Sequence, residues 1–568
     1  MKKLISILLT LCLLLGFCVP AFAEEEAPQA AVVVPGMLES MLLFEGGEQN
    51  SRRFFDPAAD FLRADGTIGD LIGAALQAVM LCRYAKLDEM MIKLNDAAFG
   101  GLKMLPDGTS ANPMRTVVSG AAGSSLAAIR AAGRWGDVDY GAMIALELEK
   151  QLGDENVFIF CFDWRLGPVG LAQELSAFIA DVKSITGAEK VAVYGNSYGC
   201  QVVAQYLYAY GGGDVSRAVF NAPAWTGTKL FKALMVDSAD ELVLNAEEGV
   251  RLLLRFFGRE IYVEPLLRLV PARVIRRAAF TLLKHTIDEY LLYAPGIWSC
   301  CAAEDYEEMK AKLLDPERDA AFIAKLDEPQ YGVMRHIPDV LAEAQANGIF
   351  TAITMSDGTR LVAGDNVTGD GIVDAQSASG GEAVPYGSVF ADGRTGAHVS
   401  PTGALDLTNG YLPERTWVTT GQLHGQSYWD GMTAPLVAGL LLKGEPENVF
   451  ADPAYPQFLD THCPGDGVSL RLVGGMEKTL DPSGGAVTAV LHNDSEKYTA
   501  FVHGVAVCGL PYAVTPAVCS LRPGEEKTVV LTPVGGCGGG QYGAVKLVYT
   551  VFGPLPLPRV RTQAFKLA

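Results

Sequence analysis

Between residues 31 and 429, short apolar runs alternate with segments of helical spacing. Val32, Val33 and Val34 form an apolar run that stops at Pro35-Gly36, and "NVFIFCFDW" (residues 156–164) forms a longer one. "GLAQELSAFIADVKSITG" (residues 170–187) repeats its apolar residues every three or four positions and ends on glycine, which predicts a helix. "KVAVYG" (190–195), "GIFTAITMS" (348–356) and "TWVTT" (416–420) read as further strands. Strands without polar alternation are buried on both faces. Their alternation with helices predicts a parallel sheet covered by helices on each side.

The texture changes near Val468. "VSLRLVGG", "AVTAVLHND", "KYTAFVHGVAV", "EKTVVLTPV" and "GAVKLVYTVF" follow at short intervals, separated by turn residues such as "DPSGG" and "RPGEE". This pattern predicts an all-β, immunoglobulin-like sandwich over residues 468–568. The boundary with the α/β part, residues 24–460, falls in "THCPGDG". At the other end, "MKKLISILLTLCLLLGFCVPAFA" has two lysines, an apolar run and the small residues Ala21 and Ala23, so residues 1–23 read as a signal peptide of bacterial type. A lipoprotein cleavage before Cys18 is the alternative, and the bulky Phe17 fits it poorly. No later apolar run approaches membrane-spanning length. The expectation is a secreted or cell-surface protein.

A formal net charge of −20 argues against nucleic acid or an acidic surface as a partner of the whole molecule. Eleven cysteines include Cys12 and Cys18 of the leader, so nine remain, an odd and scattered set that is no disulfide framework. Cys508 and Cys519 are the pair best placed for a bridge, and buried free thiols are the alternative. No clustered Cys/His set predicts a metal site, and no cofactor motif is present.

"VAVYGNSYGC" (residues 191–200) carries the candidate chemistry. An apolar strand enters Gly195-Asn196-Ser197-Tyr198-Gly199, and "CQVVAQYLYAYGGG" leaves it as a helix. Strand, sharp turn and helix make a nucleophile elbow, in which Gly195 and Gly199 let the strand and helix approach and Ser197 is held on a strained turn. A serine hydroxyl needs a base, and in such a fold an acid and then a histidine follow the serine. "VAGDNVTGDGIVD" after the 348–356 strand supplies the acid, and His424 after the 416–420 strand supplies the base. His398, in "TGAHVSP", is the second candidate but has no strand before it.

Together, "VVVPGMLESML", "FDWR", "VAVYGNSYG", "NAPAWTGT" and "GDGIVDAQS" occur in the order found in the lecithin:cholesterol acyltransferase-like lipases, a group that includes lysosomal phospholipase A2. From Val32 to Trp429 the chain resembles that family. The resemblance implies an α/β-hydrolase fold with Ser197 as nucleophile, Asp370 as acid and His424 as base. It also implies backbone N–H groups of Met37 and Tyr198 as oxyanion donors. The chain departs from the family at Asn196 and Tyr198, where His and Met are usual, and in a Gly-rich insertion between Asp370 and His424.

Two stretches admit other readings. In "NVTGDGIVD", Asn366, Thr368, Asp370, Gly371 and Asp374 occupy positions of a calcium loop, but Ser377 stands where a bidentate Glu is required. Residues 227–347 form a long insertion expected to be a helical cap or lid. Its cationic part begins at Arg251 and ends at Lys284, with seven Arg and one Lys against two Glu over residues 251–285, a balance of +6. Such an amphipathic segment fits a lid lying on an anionic membrane surface, or a cap whose arginines pair with acids elsewhere. The expected function is a secreted serine hydrolase, a lipase, phospholipase or esterase, cleaving an apolar acyl ester through a Ser197 acyl-enzyme. The alternatives are a lipid O-acyltransferase using the same triad and a catalytically inactive protein that binds surfaces through its β-sandwich.

Overall fold

The computed structural model describes residues 30–565 except 47–49, 54–76, 79, 82, 136–137, 139–141, 237–271, 362–366, 421, 423, 425–432, 460–467, 473–485, 494–497, 508–509, 516–518, 534–542 and 552–557. The proposed leader and Cys508 therefore lie outside the described residues.

Seven strands make the central sheet: β1 (Ala31–Val34), β2 (Val157–Ile159), β3 (Val191–Asn196), β4 (Val215–Asn221), β5 (Phe350–Asp357), β6 (Thr416–Thr420) and β7 (Phe458–Leu459). Their order is β7-β6-β5-β4-β3-β1-β2, and every pairing is parallel. The period of two along each strand sends alternate residues to opposite faces. Val32 and Val34 join one core with Val191 and Val193, while Ala31 and Val33 join another with Ala192 and Tyr194. Burying a Val or Phe side chain in this way contributes about 1.5–3 kcal/mol.

The helices used below are α1 (Ala85–Phe99), α2 (Ala142–Leu152), α3 (Pro168–Thr186), α4 (Tyr198–Tyr210), α5 (Ala272–Thr286), α6 (Ile337–Ala346) and α7 (Thr433–Lys443). Helices α3, α4 and α6 cover the first face, α2 and α7 the second. This is the α/β-hydrolase fold. Residues 337–346, expected within the cap, instead form α6 and pack on α4 and β5, because Ile337, Val340, Leu341 and Ala344 present an apolar stripe. The described part of the cationic segment, α5, packs against α1, which lies outside the expected insertion.

The C-terminal strands are β8 (Val468–Leu472), β9 (Val487–Asn493), β10 (Ala500–Val507), β11 (Leu510–Thr515), β12 (Cys519–Leu521), β13 (Glu526–Pro533), β14 (Gly543–Val551) and β15 (Pro558–Phe565). They are antiparallel and form one path, β8-β9-β13-β11-β10-β14-β15, with β12 on β10. Strand β8 comes back beside β14 and β15, so the sheet rolls around a core that includes Leu470, Leu491, Val502 and Leu531. The enclosed apolar layer is sandwich-like, formed by one continuous sheet.

Candidate active site

At the end of β3 the chain reverses into α4 through Ser197, whose φ of 50° and ψ of −117° lie outside the ordinary regions for a side-chain-bearing residue. The strain is held by the parallel pairing of β3 with β4, extended by the Ser197 N–H donating to Asn221 O at 2.8 Å. A side chain at Gly199 would place its Cβ 2.4 Å from Pro35 O and 2.5 Å from Val34 O. Only glycine lets α4 come this close to the end of β1.

Asp370 and His424 reach the same place from β5 and β6. His424 Nε2 is 2.9 Å from Ser197 Oγ, and His424 Nδ1 is 2.7 Å from Asp370 Oδ2. The His424 N–H also donates to Asp370 O at 2.7 Å. The second Asp370 oxygen accepts the N–H groups of Ile372 and Val373 at 3.0 and 2.8 Å, which fixes the carboxylate's orientation. All three side chains are buried or nearly so. Burial by itself would lower the His424 pKa, but the charge and hydrogen bond of Asp370, aided by the charge of Glu39, outweigh it and leave the pKa raised. A hydroxyl, an imidazole and a carboxylate in this line can pass the serine proton to His424 and stabilise the imidazolium that forms.

Neighbouring segments brace the acid's loop. Thr228 Oγ1 donates to Ile372 O, Ser377 Oγ to Gly227 O at 2.7 Å, and the Thr226 N–H to Ser377 Oγ at 3.2 Å. These contacts join the segments "NAPAWTGT" and "GDGIVDAQS". The calcium-loop positions serve other ends: Asp370 faces His424 and its own loop, while Asp374 caps the helix Ala375–Ser379 by accepting the Ser377 N–H at 2.7 Å. Asn366 lies outside the described residues. His398 is elsewhere, with Nδ1 2.8 Å from Gln457 Oε1 and its ring against Phe450. The Gly-rich insertion returns on itself through pairing of Glu382–Ala383 with Leu405–Asp406, so the long sequence gap need not separate Asp370 from His424 in space.

Met37 lies in the turn after β1, and Tyr198 is the first residue of α4. The Tyr198 ring is fully buried near Phe162, and its hydroxyl donates to Leu166 O at 2.6 Å. Arg165 of "FDWR" is wholly buried; its guanidinium grips Asp163 at 2.9 and 2.6 Å and donates to Leu102 O at 3.0 Å. Both contacts stiffen the chain after β2.

One residue beside the centre escaped the sequence reading. Glu39 is buried; it accepts the Gly36 N–H and, at 2.7 Å, the Asn196 amide. The signal was a carboxylate in the apolar run "VVVPGMLESMLLF".

No family model matches the chain, and no curated protein matches it. Among solved structures it is similar to the Tle4–Tli4 complex at 12% identity, over 73% of this chain and 98% of that one, with a TM-score of 0.34. The Bacillus licheniformis lipase BlEst2 in its propeptide form is 11% identical, over 78% of this chain and 91% of that one, with a TM-score of 0.26. A lipase-esterase related protein from Clostridium acetobutylicum is 14% identical, over 39% and 92%, with a TM-score of 0.15.

Proposed function

We propose that this protein is a serine ester hydrolase, with Ser197 as nucleophile, His424 as general base and then acid, and Asp370 as the carboxylate that orients the base. The observation that carries this reading is the buried line from Ser197 Oγ through the imidazole to Asp370, at 2.9 and 2.7 Å, on a serine held at φ 50°. His424 takes the serine proton as Oγ attacks the ester carbonyl. The oxyanion is stabilised by the N–H groups of Met37 and Tyr198, each such donor being worth about a hundredfold or more in rate. As the C–O bond breaks, His424 returns the proton to the departing alcohol and an acyl-serine remains. Water, deprotonated by the same imidazole, then releases the acid and frees Ser197. The lipase resemblance supports an apolar acyl ester, a lipid, as substrate, and the N-terminal pattern supports export.

A fluorophosphonate probe tests the core of the proposal. It should label the wild-type protein once, at Ser197, and should not label Ser197→Ala. Labelling unchanged in Ser197→Ala, or none in a folded wild type, would remove the assignment.

A further inference from the structure

Behind the proposed nucleophile runs a chain of buried polar side chains that the triad does not use. Thr354 Oγ1 of β5 donates to Asn221 Oδ1 of β4 at 2.8 Å. Asn221 Nδ2 donates to Asn196 Oδ1 at the end of β3, also at 2.8 Å. Asn196 Nδ2 donates to Glu39 Oε1 at 2.7 Å, and Glu39 Oε2 accepts the N–H of Gly36. Four segments are thereby joined across the sheet's carboxyl ends. Each amide in the line has a defined orientation, because each both donates and accepts.

The last link lies beside the reacting hydroxyl. A Cβ on Gly36 would be 3.0 Å from Ser197 Cβ and 3.2 Å from Glu39 Oε2, so the serine and the carboxylate flank the same glycine. The turn that Glu39 closes contains Met37 and Leu38, and Leu38 has a φ of 68°, a conformation costly for a branched side chain. Something must hold it there. Glu39 is the side chain that ties both ends of this turn to the nucleophile strand.

We infer that Glu39 is a positioning residue of this centre: it fixes the Gly36–Met37 turn against Ser197 and sets a second negative charge near the imidazole of His424. The inference rests on the role proposed above for Ser197. Burying a carboxylate is costly unless its oxygens are hydrogen-bonded and a positive charge is near. Both conditions are met when His424 becomes an imidazolium during acylation. Burial is the largest influence and leaves the Glu39 pKa raised; the Gly36 and Asn196 donors and the charge of His424 pull against it, so the carboxylate is most favoured when the imidazole is charged. The other titratable group facing Glu39 among the described residues is Cys200 on α4, whose thiol burial keeps neutral. Asp370 faces His424 from the opposite ring nitrogen.

The test is the pH dependence of kcat/KM for a soluble p-nitrophenyl ester, normalised to the fraction of protein a fluorophosphonate titrates. Glu39→Gln keeps the shape and removes the charge. The imidazolium then loses a stabilising neighbour, so the acidic limb should move down by about one pH unit while kcat falls about tenfold or more. Glu39→Asp keeps the charge but shortens the reach: kcat should fall and the limb should stay. A Glu39→Gln enzyme whose limb does not move overturns the electrostatic role. If that variant does not fold, Glu39→Asp decides, and an unchanged kcat there overturns the positioning role. A folded wild type that is neither labelled nor active would remove the Ser197 proposal instead.

Discussion

The centre at the carboxyl end of the sheet and the helix pair α1–α5 use ionisable groups in opposite ways. Ser197, His424, Asp370, Glu39 and Asn196 are each under one-tenth exposed, and their hydrogen bonds join the ends of buried strands and the turns and loops that follow them. Helices α1 and α5 also meet through charges. Arg277 pairs with Asp88 at 2.8 Å, and His285 and Tyr290 converge on Asp96 at 2.6 and 2.5 Å, but these side chains stand partly in water. In the first region geometry is over-determined and low dielectric strengthens each interaction. In the second, solvent weakens each pair to about 0–1 kcal/mol and salt screens it. Rigid chemistry and an adjustable attachment come from the same residue types in different dielectrics. At the described end of the cationic segment, Arg277 and His285 pair with Asp88 and Asp96 of α1, while Lys284 pairs with Asp288 one turn further along its own segment. Residues 251–271 and the side chain of Arg276 lie outside the described residues.

The largest expected effect lies in the buried region. Ser197→Ala should lower ester turnover by up to about a millionfold, and His424→Ala by a comparable factor, because the groups act as a unit. His398→Ala, away from the serine, should stay within about twofold of wild type, as distant surface changes do. A tolerated His424→Ala with a lethal His398→Ala would reverse the base assignment.

Next in size is a pair of glycine changes. Gly199→Ala drives a methyl into the carbonyls of Pro35 and Val34 and should cost about 3 kcal/mol or more, read as a large drop in melting temperature or loss of soluble protein. In α3, a side chain at Gly170 meets nothing within 4 Å. Gly170→Ala should therefore raise stability by up to about 1 kcal/mol through helix propensity. Equal effects at the two positions would show that the close approach at the elbow is relaxed in solution.

The pH profile gives a smaller and more specific reading. Only neutral His424 can accept the serine proton, and its pKa is raised, so activity should fall on acidification at a pH above the ordinary imidazole value of about 6.5. Asp370→Asn removes the charge that does most to raise this pKa, and the residual activity should persist to lower pH. A limb below 6.5 in the wild type would mean that desolvation wins over the carboxylates.

The smallest effect belongs to α5. Arg277→Gln should cost at most about 1 kcal/mol, less at high salt, and leave kcat on a soluble ester unchanged. If the cations of residues 251–284 also serve a lipid surface, anionic vesicles should bind the wild type more tightly than neutral ones. Salt should erase that difference, and Arg277→Gln should reduce it. Equal binding to both vesicle types would leave the structural pairing as the segment's role.

Local chemistry was enough to find the serine. A β-branched run, two glycines around Gly-Asn-Ser-Tyr-Gly and a helical repeat lie within about twenty consecutive residues, and short-range sterics turn them into strand, elbow and helix. The two-faced parallel sheet was legible for the same reason, since strands buried on both sides carry no polar alternation. Other features depended on which distant segments meet. Asp370 lies 54 residues before His424, and His424 lies 227 after Ser197. His398 ends beside Gln457, where the paired segments around it carry it, and nothing in its own sequence neighbourhood announces that position. The role of residues 337–346 as a layer of the sheet followed from the surface their apolar stripe found. Glu39 appeared in sequence as an isolated charge in an apolar run, and its meaning arose when Asn196, 157 residues away, turned an amide toward it. Periodicity and turn chemistry act over a few residues and can be read in order along the chain. Hydrogen bonds between buried groups form only after the sheet has set its register, so their partners belong to the tertiary structure.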